Sequence, residues 1–79
     1  MSAGPEKHSL TLRGHRTSVS LEAEFWRAFR AIAAAERRPV NALAADIDAA
    51  RPAGQGLASA IRVHVLAWHQ ARGQDADPS

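Results

Sequence analysis

The stretch His15-Arg16-Thr17-Ser18-Val19-Ser20-Leu21 restricts what this chain can fold into more than any other. Thr17, Val19 and Leu21 alternate with Arg16, Ser18 and Ser20, the period-two repeat of a half-buried strand. One face is built to pack. The other carries a guanidinium and two small hydroxyls, with no bulk and no carboxylate. A strand of this kind can lie in a DNA major groove, where arginine and hydroxyl side chains reach base edges. Taken alone, the same pattern also fits a strand face turned to water.

The remainder of the chain is short. It has 79 residues and no cysteine, so it forms at most one small domain, without disulfides or thiolate metal sites. Its hydrophobic fraction of 46%, much of it alanine, favours closely packed helices. A small domain without covalent staples often completes its core by oligomerising. No apolar run approaches the roughly 20 residues of a membrane span, and Met1–Lys7 holds no apolar leader, which points to the cytoplasm. The net charge of +2 says little, but its distribution says more. Residues 1–41 carry seven basic side chains against four carboxylates, whereas residues 42–79 carry three against four. The positive half contains the strand.

In chain order, residues 1–8 read as a disordered arm, with Gly4-Pro5 as a breaker. Ser9–Arg13 is a second alternating run with Leu10 and Leu12 on one side. Gly14-His15 separates it from the main strand, which suggests a hairpin or, failing that, an extended arm over the core. A first helix is predicted just after Leu21, capped by Ser20, with Glu22 and Glu24 suited to its positive end. Phe25, Ala28, Phe29, Ile32 and Ala35 form its apolar stripe, and Trp26 widens it. Arg38 precedes a proline and is pushed out of helical geometry. Pro39 then fits the first position of a second helix, with Val40, Leu43, Ala44 and Ile47 facing inward. The breaker-rich stretch 51–56 precedes a third helix over about 57–72, closed by Gly73, and residues 73–79 read as a flexible tail. That third helix is apolar on two sides: Leu57, Ala58, Ile61, Val65 and Trp68 on one, Val63 and Leu66 on the other. It therefore needs two partners, one of which can be another protein chain.

The order strand, helix, basic turn, helix resembles the ribbon-helix-helix DNA-binding family, to which Arc repressor belongs. Arg16–Leu21 stands for the ribbon, Glu22-Ala23-Glu24-Phe25-Trp26 opens the first helix, and Arg37-Arg38-Pro39-Val40-Asn41 is the turn into the second. With its late third helix, the chain is most similar to a subgroup of uncharacterised bacterial members. The resemblance implies a mainly α fold with a short β-ribbon, an intertwined homodimer and an extra C-terminal helix, in one domain over 9–72. It implies that two ribbons pair antiparallel and enter the major groove of double-stranded DNA. Arg16, Ser18 and Ser20 would then contact bases. Arg37, Arg38, Val40 and Asn41 would contact phosphate, helped by the helix dipole. Thr17, Val19, Leu21, Phe25, Phe29, Leu43 and Ile47 would form the dimer core.

Three departures qualify the resemblance. Pro39 has no amide, the two serines discriminate bases little, and the loop with the third helix is additional unless that helix is the true second one. Enzyme chemistry finds no support in the sequence, and no cofactor is expected. His64 and His69 are five apart, Glu22 and Glu24 diverge on a helix, and no glycine-rich phosphate loop or metal-ligand spacing is present. Two functions follow: a DNA-binding transcriptional regulator, or a dimerising interaction module with weak or no DNA binding that docks a partner through the third helix.

Overall fold

The apolar alternations of the first 21 residues meet in a local hairpin. The computed structural model describes residues 4–76. In it Glu6–Leu12 (β1) and His15–Leu21 (β2) pair antiparallel. Leu12 lies opposite His15, Leu10 opposite Thr17, His8 opposite Val19 and Glu6 opposite Leu21. The connection is Arg13-Gly14, with φ of 52° and 86°. Two left-handed residues in a two-residue loop make a type I′ turn, whose twist suits paired strands. The break therefore falls one residue earlier than Gly14-His15, and His15 begins β2.

The arm expected over residues 1–8 is strand from Glu6 onward; residues 1–3 lie outside the described residues. Trp26 holds β1 in place. Its indole N–H donates to the Glu6 carbonyl at 2.8 Å, and the His8 ring meets its face edge-on at 4.6 Å.

Three helices follow: Ala23–Ala35 (α1), Val40–Ala50 (α2) and Leu57–Ala76 (α3). Ser20 stays in β2, so Glu22 occupies the N-cap of α1 and makes no side-chain capping bond. The α1 stripe is rotated from the expected one. Trp26, Phe29, Ile32 and Ala33 are buried, Phe25 is half-buried and Ala35 is exposed. The bond to Glu6 draws Trp26 inward at the expense of Phe25. α1 ends with the Arg37 N–H on the Ala34 carbonyl and the Arg38 N–H on the Ala33 carbonyl, a Schellman closure. Its left-handed residue is Arg37, φ 55°. Gly73 does not close α3; it keeps helical backbone and the helix runs to Ala76. Residues 77–79 of the expected tail lie outside the described residues.

α2 packs on β1, whereas α1 and α3 pack on β2. The core joins Leu10, Leu12, Val19 and Leu21 of the hairpin to Trp26, Phe29, Ile32, Leu43, Ile61 and Val65. α3 is tied to α1 at two levels. Arg62 grips Glu22 through Nε and Nη2, and Trp68 donates its indole N–H to Glu36 at 3.1 Å.

Candidate nucleic-acid interface

Antiparallel register fixes which side chains share a surface. Lys7 lies beside Ser20, Ser9 beside Ser18 and Thr11 beside Arg16. All six are exposed and point away from the core. Arg16, Ser18 and Ser20 are therefore together on the outer face, as the alternation predicts. β1 adds Lys7, Ser9 and Thr11, which the sequence reading did not include. The signal was present in Lys7–Leu12, where His8, Leu10 and Leu12 alternate with these three. The resulting face has two cations, four hydroxyls and no carboxylate.

The start of α2 lies against this ribbon. In a hairpin with a two-residue loop, Leu12 and His15 exchange backbone hydrogen bonds, so the Thr11 N–H points to the free edge of β1. There it donates to Asn41 Oδ1 at 3.2 Å. Asn41 is the second residue of α2. Pro39 sits at the N-cap (φ −61°, ψ 146°) rather than at the first helical position, and no side chain caps the helix. The missing proline amide is therefore outside the first turn. The amides of Val40, Asn41 and Ala42 all belong to that turn, where helical acceptors are lacking. No acidic residue occupies it. Arg37 is exposed and forms no ion pair among the described residues. Arg38, in contrast, is turned back along α2, bonded to the Ala42 carbonyl at 3.3 Å and to Asp46.

The nearby carboxylates are engaged elsewhere. Asp46 pairs with Arg38 and, at 3.6 Å, with Arg13 in the hairpin turn. Asp48 accepts from Arg51 at 2.6 Å in a hollow that Arg16 also lines. Glu22 is taken by Arg62 at 2.9 Å. Its carboxyl is held below the usual range by a hydrogen bond from its own backbone N–H and by the Arg62 guanidinium, against some desolvation. Arg16 has no ion-pair partner among the described residues.

The residues read as dimer core are placed within one chain. Val19, Leu21, Phe29, Leu43 and Ile47 are buried by β1 and by the chain's own helices, while Thr17 and Phe25 are half-buried. Among the described residues no group of three or more His, Asp or Glu is placed to hold a metal. His64 is half-buried between α2 and α3, beside Ile47 and Ala60, and its Nε2 meets no partner among the described residues.

The family model for the ribbon-helix-helix domain matches residues 5–69. The chain belongs to the ribbon-helix-helix family. The match takes in β1 and α3 as far as His69, and the chain has the ribbon-helix-helix order of elements with a third helix. Membership supports a DNA-binding or regulator-type role, and domains of this family are typically regulatory modules and not enzymes. No curated protein and no solved structure matches the chain. Among the described residues, no helix is long and apolar enough to cross a membrane.

Proposed function

We propose that this protein is a dimeric, sequence-specific DNA-binding regulator of the repressor type, acting in the bacterial cytoplasm. The observation that carries the reading is the outer face of the hairpin: six exposed side chains, cationic or hydroxylic, beside an uncapped helix start. Arg16, Ser18 and Ser20 meet base edges. The first-turn amides of α2, with Arg37 beside them, meet phosphate. Two chains pair through β2, whose outer edge has no partner among the described residues. A bare strand edge of this kind is a template for another strand.

A second reading rests on α3. Val63 and Leu66 are 55% and 56% exposed, and with Phe25, Val65 and His69 they line an apolar hollow beside Arg62. This supports an interaction module that docks a protein partner there. Titration of labelled mixed-sequence duplex at low salt separates the two. Regulator chemistry gives salt-dependent binding that tightens on a selected site. Absence of binding at low salt eliminates it in favour of the interaction module.

A further inference from the structure

β1 changes what a ribbon of this kind can touch. The outer edge of β2 carries the backbone groups of Arg16, Ser18 and Ser20, because in this register the other β2 residues bond to β1. A second copy satisfies all three in one arrangement: a two-fold axis at Ser18, with Arg16 opposite Ser20 of the second copy. The product is a four-stranded sheet, with β2 strands at the centre and β1 strands outside. Strands lie about 4.8 Å apart, so the axes of the outer pair are about 14 Å apart, wider than the roughly 12 Å major groove. The central strands enter the groove and the outer strands meet its walls, where the phosphates are.

The side chains match that division. The central strands hold Arg16, whose planar fork suits a base edge. The outer strands hold Lys7, a flexible point charge suited to phosphate, with the hydroxyls of Ser9 and Thr11. Lys7 is exposed and has no ion-pair partner among the described residues. Resting on the dimeric DNA-binding reading above, we infer that the outer face of β1 is a phosphate-gripping surface, with Lys7 as its principal contact. β1 thus extends the ribbon from the groove floor to both backbones.

The test is the salt dependence of binding to a selected and a scrambled labelled duplex, for wild type, Lys7→Ala, Lys7→Gln and Lys7→Arg. Two lysines per dimer contribute about 1.8 to the slope of log affinity against log salt. Between about 50 and 200 mM salt, both neutral variants should therefore lose about tenfold less affinity than wild type. The preference for the selected duplex should persist, and Lys7→Arg should keep the wild-type slope. Thermal unfolding should be unchanged, since Lys7 is exposed and forms no ion pair among the described residues. An unchanged slope in the neutral variants overturns the inference while leaving the regulator reading intact. A changed preference between the duplexes also overturns it, because β1 would then be reading bases. A wild type that binds neither duplex overturns both readings.

Discussion

In the proposed regulator, Arg16 is the residue on which selectivity would turn. Among the outer-face side chains of β2 it alone can place two donors on guanine O6 and N7, which is worth roughly 1–3 kcal/mol of discrimination. Because it forms no ion pair among the described residues, Arg16→Ala should leave unfolding and assembly unchanged. It should erase preference for a selected duplex over a scrambled one in competition binding, while much of the non-specific affinity persists. Equal preference in mutant and wild type would remove Arg16 from the bases. The inward and outward sides of β2 were legible because period two admits only one answer when Val19 and Leu21 must be buried. The choice between Phe25 and Trp26 was not. They lie one helical step apart, and what settles it is the Glu6 carbonyl, 20 residues away, which accepts the indole N–H.

Among the elements, α3 packs on α1, α2 and β2, and its polar side-chain ties run to α1. Arg62 spans from α3 to the N-cap of α1, where the Glu22 carboxyl is held below its usual range first by its own backbone N–H and then by that guanidinium. A carboxyl lowered on folding stabilises above its unfolded value, and that contribution is lost as pH falls through the folded value. Wild type should therefore melt at a higher temperature than Glu22→Gln at neutral pH, and the gap should close as the solution is acidified below the carboxylate range. A gap that persists in acid would mean that the carboxylate–guanidinium pair is not its source. Helix existence was legible from the apolar spacing, but the helix ends were less so. The closure of α1 uses Arg37 where glycine is the usual left-handed residue, so no glycine announced it. Gly73 was read as a stop, yet a lone glycine costs a helix only about 1 kcal/mol, and no proline intervenes before Pro78. The β1 half of the outer face was missed for a related reason. With the turn set one residue late and the arm read as disordered, Lys7 fell outside the strand.

At the level of the whole molecule, the bare edge of β2 predicts a dimer of about 17 kDa, twice the 8.5 kDa chain. Ser18→Pro tests how it forms. The Ser18 N–H faces the free edge and not β1, so proline there removes a donor only from the edge. Light scattering should then find a folded chain of single mass, with the hairpin retained. A Ser18→Pro dimer would move the interface elsewhere, with the exposed Val63 and Leu66 of α3 as the alternative surface. That a small chain gains core by pairing was a fair inference from 79 residues without cysteine. It did not foresee that β1 and α3 would cover Leu21 and Phe29 within one chain.

That closed core separates folding from assembly. A chain whose core closes without its partner need not hold that partner tightly, so the proposed dimer would form and dissociate within the range over which its supply varies. Below the dimer dissociation constant, the paired form grows as the square of total chain. By mass action, a twofold rise in synthesis then becomes about a fourfold rise in occupied sites. Interlocked chains that fold only together would respond in simple proportion. The β1 strand, by completing the core of each protomer, would give the regulator a threshold.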